Sequence, residues 1–227
     1  MAETDLTVIF LTLNKTPKKF AKFQKDILLN AIGDYPLITI SRKPLDFGQN
    51  IIDSDEPGYV NIYRQMLRGA KLAKTKYVAI AEDDVLYTQE HFSFYRPQLD
   101  TFAYNQNRLA LFTWGMPMYS WRNRKSNCSL IAPRELLIEA LEERFEKCGQ
   151  NWPPEHTGEL GRWRVEHKLG VTHRKSVEVF SETSIIQFNH MDGTEATQKN
   201  RKKAHGPIKA FWIPEWGKAK DLKEIYK

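Results

Sequence analysis

Short β-rich apolar runs alternate with amphipathic stretches of helical period through the first half of this chain, and that alternation limits the folds open to it. Leu6-Thr7-Val8-Ile9-Phe10-Leu11 is long enough for a buried strand and too short for a helix. From Lys18 to Ala31, Phe20, Phe23, Ile27, Leu28 and Ala31 share one helical face, and Gly33-Asp34 stops the pattern. Leu37-Ile38-Thr39-Ile40 reads as a second strand, and a polar loop follows from Ser41 to Pro57. Val60, Tyr63, Met66, Leu67 and Ala70 mark a second helix, ending near Lys74, and Tyr77-Val78-Ala79-Ile80-Ala81 is a third buried strand. Leu109 to Thr113 and Ser129-Leu130-Ile131-Ala132 read as a fourth and a fifth. Pro133, a residue suited to a first turn, opens a helix to about Lys147. Weaker signals place a helix near Leu160 to Lys168 and a strand at Ser184 to Phe188. The predicted class is α/β, a mostly parallel sheet flanked by helices. In such sheets ligands bind beyond the carboxyl ends of the strands.

Composition narrows the class further. The 227 residues are 41% apolar and 27% charged, as in an ordinary globular protein, and suffice for a core without disulfide staples. Six Trp, nine Tyr and twelve Phe exclude a disordered chain. Two cysteines, Cys128 and Cys148, cannot make a four-thiolate site and read as free, buried thiols in a reducing compartment. Met1 to Leu6 carries Glu3 and Asp5 and lacks the basic start of a signal peptide, and no apolar stretch is long enough to span a bilayer. The expectation is a soluble cytoplasmic protein with no obligate protein partner. Neither a linker nor an internal repeat divides the sequence, so residues 1–227 read as one domain.

The sharpest feature is Glu82-Asp83-Asp84, set at the end of the third strand. Adjacent carboxylates repel, and a fold that collects them at a strand end does so most economically around a cation. With no thiolate partner they suit Mg²⁺ or Mn²⁺. A solvated acidic turn is the plainer alternative. No Gly-x-x-x-x-Gly-Lys phosphate loop and no His-Glu-x-x-His pair is present, which removes the usual NTPase and zinc-protease signatures.

The stretch from Gly58 to Val85, a helix leading to a strand that ends in Glu-Asp-Asp, resembles the segment of GT-A glycosyltransferases (family 2-like) that leads to their DxD motif. The resemblance implies a nucleotide-sugar donor, with UDP-glucose as the family default. It implies that Asp84 binds the metal on the donor diphosphate, while Glu82 and Asp83 contact the ribose or support the site. It assigns Thr12 and Asn14, at the end of the first strand, and Arg42, after the second, to donor binding. Residues 1–115 would then form the donor half, 116–200 the acceptor half and 201–227 a basic aromatic tail. Ser129 to Leu141 and Gly158 to Gly170 are similar to the family's later segments, the second of which carries the general base of inverting members. Glu159 is the first candidate and Glu155 the second, although the usual Glu-Asp pair is missing. His190 resembles the late histidine that serves as a second metal ligand, with Asp192 as an alternate and His173 and His156 behind.

Basic and aromatic residues interleave at Trp121, Arg122 and Arg124, at Arg162 and Arg164, and around Lys202, in a chain of net charge +6. Cations beside stacking rings suit a nucleic-acid acceptor. Together with the likeness to the small DNA-modifying glycosyltransferases, this points to hydroxymethylated bases in DNA, reached by base flipping. Two alternatives stay open: a bacterial surface-polysaccharide transferase acting on a lipid-linked sugar, and a non-catalytic nucleic-acid-binding protein.

Overall fold

The computed structural model describes residues 4–58, 60–121, 123–150, 152, 157–190 and 206–227. Seven strands form the larger sheet. β1 (Leu6–Thr12) is buried along its whole length and lies between β2 (Leu37–Ser41) and β4 (Tyr77–Glu82), parallel to both. β3 (Gln49–Ile52) extends this sheet beyond β2, within the stretch expected to be loop. Its exposed Gln49 and Ile52 give no apolar run, so its strand character comes from pairing with β2. β6 (Thr101–Asn105), β9 (Leu130–Pro133) and β10 (Lys175–Val179) complete the order β10-β6-β9-β4-β1-β2-β3. β9 alone runs antiparallel to its neighbours β4 and β6.

Helices cover both faces. α1 (Lys18–Ile32) packs on the side that holds Leu6, Val8, Phe10 and Ala79, with the short α3 (Gln89–Ser93) beside it. α2 (Asn61–Leu72) and α4 (Arg134–Cys148) cover the opposite face, burying Met66, Ala70, Leu137 and Leu141 against Ile9, Val78 and Ile80. The α/β expectation holds, with a mostly parallel central sheet flanked by helices.

The expected fourth strand departs from that plan. β7 (Arg108–Phe112) joins a second, five-stranded sheet of order β12-β8-β7-β11-β5. Its members are β5 (Val85–Leu86), β8 (Tyr119–Trp121), β11 (Ile185–Asn189) and β12 (Ile208–Ala210). β5 follows β4 after only two residues, so the chain passes from one sheet to the other through Asp83 and Asp84. A hairpin, β13 (Trp212–Ile213) and β14 (Gly217–Lys218), leads to α6 (Ala219–Ile225), which buries Ala219 and Leu222 on the second sheet. The short α5 (Trp163–Leu169) precedes β10. Cys128 and Cys148 are free thiols, and Cys148 is only half-buried, a correction to the expectation that both are enclosed. Among the described residues no helix is long and apolar enough to cross a membrane.

Gly69 fixes how closely α2 approaches β1. A Cβ there would sit 2.5 Å from Cγ2 of the fully buried Ile9, on the stiff branch of a β-branched side chain. Gly69→Ala is expected to lower stability by about 1–3 kcal/mol, against the roughly 1 kcal/mol that alanine normally gains over glycine in a helix. A urea titration showing no loss would mean that the α2–β1 contact yields freely.

Candidate functional site: an acidic turn between two sheets

Glu82, Asp83 and Asp84 lie at the carboxyl edge of the larger sheet, where β4 leaves it. The turn is held from several directions. From α1, the buried Gln24 donates its amide to Val85 O at 3.2 Å and Glu82 O at 3.5 Å. The buried Tyr87 hydroxyl accepts from the Glu82 N–H at 3.0 Å and donates to Cys128 O at 2.9 Å. From β11, the Phe188 N–H donates to Asp84 O at 2.7 Å. From β1, the Thr12 hydroxyl donates a short hydrogen bond to the Asp83 carboxylate and accepts from the Asn14 N–H at 2.8 Å.

β11 carries the chain on to His190, whose Nε2 lies 3.8 Å from Asp84 Oδ2, with both side chains 15% exposed. The imidazole stacks on Tyr226 just past α6 (5.8 Å, 29°), and Tyr226 stacks in turn on Phe188 (5.3 Å, 15°). Two residues 106 positions apart in sequence are therefore brought together, a carboxylate and an imidazole. Among the described residues no group of three or more His, Cys, Asp and Glu side chains is set to hold a metal ion. Among the described residues Asp84 and His190 make a pair of candidate donors. It suits a cation such as Mn²⁺ or Mg²⁺, which takes few protein ligands and completes its shell with phosphate oxygens and water.

Beside the turn, Asn14 adopts a left-handed φ of 54° and its side-chain oxygen accepts the N–H groups of Arg42 (2.8 Å) and Lys43 (2.9 Å). Asparagine tolerates this conformation better than most residues. The exits of β1 and β2 are thereby tied together. Arg42 donates through Nη1 to Asp53 O at 2.9 Å, and its buried Nη2 has no hydrogen-bond partner among the described residues. The Asp53 carboxylate accepts from Asn61 (2.7 Å) and Gln65 (2.6 Å), both on α2. Burial pushes its pKa up, but these amides, the Asp55 N–H and the nearby Arg42 outweigh that and hold it below the ordinary value.

Glu159 lies on the α2/α4 side, 7% exposed, with Oε2 2.6 Å from Arg162 Nη1. Its segment is fixed by the Gly158 N–H on the Tyr63 hydroxyl (3.0 Å), by Arg144 Nη1 on Gly158 O (2.8 Å) and by the Tyr104 hydroxyl on Leu160 O (2.8 Å). α5 begins at Trp163, later than the sequence pattern implies, so Glu159 lies outside its first turn, where Glu166 is the acid. Arg162 and Arg164 are exposed, as is Arg124. Trp121 donates its indole N–H to Gln106 O at 2.7 Å, which fixes the ring to the fold. Arg122, Glu155, His156, Asp192 and Lys202 lie outside the described residues.

Arg108 is absent from the sequence-derived set. It opens β7, is buried, and donates a short hydrogen bond to the Gln187 carboxamide and another to Arg124 O at 2.8 Å. Burial, with the charges of Glu82 and Asp84, raises the pKa of the Cys128 thiol, and Arg108 acts on it in the opposite direction. One arginine at the head of an apolar strand reads as a solvated end, and only the pairing of β7 with β11 reveals otherwise.

No family model matches the sequence, and no curated protein matches it. Among solved structures the chain is similar to the bifunctional IspDF of Campylobacter jejuni, with 11% identity over 79% of this chain and 50% of that one and a TM-score of 0.43. This chain spans half the length of that protein. It is similar to a glycosyltransferase involved in glycosylation of the major capsid of the virus PBCV-1, with 11% identity, 81% and 93% coverage and a TM-score of 0.46. It is also similar to a Drosophila β-1,4-galactosyltransferase 7 mutant solved with manganese, UDP-Gal and xylobiose, with 12% identity, 90% and 78% coverage and a TM-score of 0.45. These are distant likenesses.

Asp83 titrates unusually. Burial first and the Asp84 charge second raise its pKa from 3.8 to about 7, against the lowering effects of Thr12 and His190. An acid whose folded pKa exceeds its unfolded value costs stability as it ionises. Here that cost sets in as pH rises from about 4 to about 7 and stays constant above. Asp83 keeps part of its surface in solvent, which reduces the effect. In metal-free buffer the wild type is expected to lose about 2–6 °C of melting temperature relative to Asp83→Asn between pH 5 and pH 8. Parallel curves for the two proteins would show that the carboxyl is not displaced.

Proposed function

We propose that this chain is a divalent-metal-dependent glycosyltransferase that moves a sugar from a UDP-sugar to a hydroxyl acceptor, a hydroxymethylated base in DNA. The observation that carries the reading is the convergence of Asp84 and His190, 3.8 Å apart, on a braced acidic turn at the carboxyl edge of a parallel sheet. That edge is where α/β folds bind nucleotides. Asp84 and His190 would hold Mn²⁺ or Mg²⁺, and a cation bound there supplies positive charge for the leaving diphosphate.

The remaining work falls to the chain itself. Thr12 keeps Asp83 turned toward β1, and this favours its support of the acidic edge over direct ligation. Asn14 shapes the joined exits of β1 and β2 beside which a nucleotide would lie, with Arg42 at hand to donate. Glu82 adds a third carboxylate to the turn, its N–H fixed on the Tyr87 hydroxyl. Glu159 is the carboxylate we assign to take the proton from the acceptor hydroxyl. Its segment is held by hydrogen bonds from three side chains, Tyr63, Arg144 and Tyr104, to its backbone, as positioning for proton transfer requires. The DNA acceptor is supported by the net charge of +6 and by exposed arginines at 124, 162 and 164, cations that phosphates would engage.

Calorimetric titration of UDP and UDP-glucose tests the donor site. Binding is expected with Mn²⁺, and is expected to disappear with EDTA, to disappear in Asp84→Ala and to weaken at least tenfold in His190→Ala. Metal-independent binding that survives Asp84→Ala would sink the reading. For the proton transfer, Glu159→Gln is expected to reduce sugar transfer to hydroxymethylated DNA by about 10²–10⁴-fold while leaving UDP binding intact. Undiminished transfer would move the role to another residue.

A further inference from the structure

Three large apolar side chains stand in solvent within five residues of one another near the C-terminal end: Ile208 (62% exposed), Phe211 (61%) and Trp212 (57%). They do not belong to a loose end. Trp216 donates its indole N–H to Ser184 O at 2.7 Å, the Lys223 ammonium donates to Gly115 O at 2.5 Å, and Ala219 and Leu222 are buried in the core of the second sheet. The segment is thus a fixed platform that leaves its rings uncovered. It adjoins the acidic turn through Tyr226, which stacks on His190.

Cations are interleaved with the apolar groups. Lys209 and Ala210 separate Ile208 from Phe211, Lys218 lies directly across the β13–β14 ladder from Trp212, and Lys220 comes two residues later; all three lysines are exposed. Among the described residues β12 ends its sheet, paired to β8 with Ile208 opposite Trp121. The exposed Arg124 follows Trp121 by three residues, so it leaves β8 at the end where β12 begins. In the sequence, Lys199, Arg201, Lys202 and Lys203 come shortly before β12.

We infer that this edge, with Phe211 and Trp212 as stacking surfaces and Lys209, Lys218 and Lys220 as phosphate contacts, is a docking strip for a single-stranded or locally opened DNA strand. A membrane-binding segment separates its apolar face from its cations. Here Lys218 stands across from Trp212 and Lys209 lies two residues before Phe211, an interleaving of cations and rings that serves bases and phosphates together. An opened strand is also what an enzyme needs if it modifies a base that must leave the stack. The purpose of the strip rests on the reading of the chain as a transferase acting on DNA, whereas DNA binding at the strip can be measured without it.

Fluorescence anisotropy with labelled single-stranded and duplex oligonucleotides, at stepped salt, tests the inference. The wild type is expected to prefer the single strand. Phe211→Ala/Trp212→Ala should weaken single-strand binding at least tenfold. Lys209→Ala/Lys218→Ala/Lys220→Ala should flatten the plot of log affinity against log salt by about 0.7 per lysine. All five positions are exposed, so both variants should melt like the wild type and keep its affinity for UDP with Mn²⁺. Equal DNA affinity in wild type and variants would overturn the inference. So would an absence of DNA binding at low salt, whether the protein instead sediments with vesicles of anionic phospholipid or pairs with a second copy along β12. If UDP fails to bind under every condition while the strip still binds DNA, the transferase reading falls and the docking strip stands.

Discussion

Everything at the candidate site depends on holding repelling carboxylates in place where the chain changes sheets. Such a turn left to itself would splay into water. Here its main chain is gripped by Gln24, Tyr87 and the Phe188 N–H, and one carboxylate is turned aside by Thr12. The geometry is therefore paid for by neutral hydrogen bonds to the backbone, and the carboxylate of Asp84 faces an imidazole. Burial first, and the Asp84 charge second, hold the Asp83 carboxyl above its ordinary pKa.

The second sheet acts as the clamp. β11 reaches the turn from the far side, bonds it through Phe188, and two residues later delivers His190. Aromatic stacking from Phe188 through Tyr226 to His190 then fixes the imidazole from behind. Arg108, held by the Gln187 carboxamide and Arg124 O, sets a buried cation at the head of β7. Packing in one sheet and polarity at the edge of the other thus meet at a single seam.

Much of the larger sheet was legible in the sequence because its central strands are buried on both faces. β1 and β4 read as continuous apolar runs for that reason, and α2 as a helix because its apolar spacing has one period. β6, fully buried but short and bounded by Thr101 and Asn105, was missed. β3 and β10 were hidden. Their residues are largely half-buried or exposed, and pairing with β2 and β6 is what makes them strands. The second sheet was unreadable as a separate unit, since an apolar run such as β7 does not say which neighbour it will join. At the site, the acidic triplet stood out as local composition, whereas Arg108 and the grip of Thr12 on Asp83 are contacts through space with no local trace.

The bonds that steady the acidic turn also bear on the order in which the molecule comes together. Thr12 and Asp83 are 71 residues apart, and Gln24 and Val85 are 61 apart. Contacts of such span form only after the intervening chain has lost much of its freedom. The parallel core of β1, β2 and β4, built on apolar runs, has no need of the carboxylates. The pairing of β1 with β4 spans the same distance, from Leu11 to Glu82, so the repelling acids are gathered together with the strands that carry them, and their repulsion bears on the assembly of the sheet as well as on the finished protein.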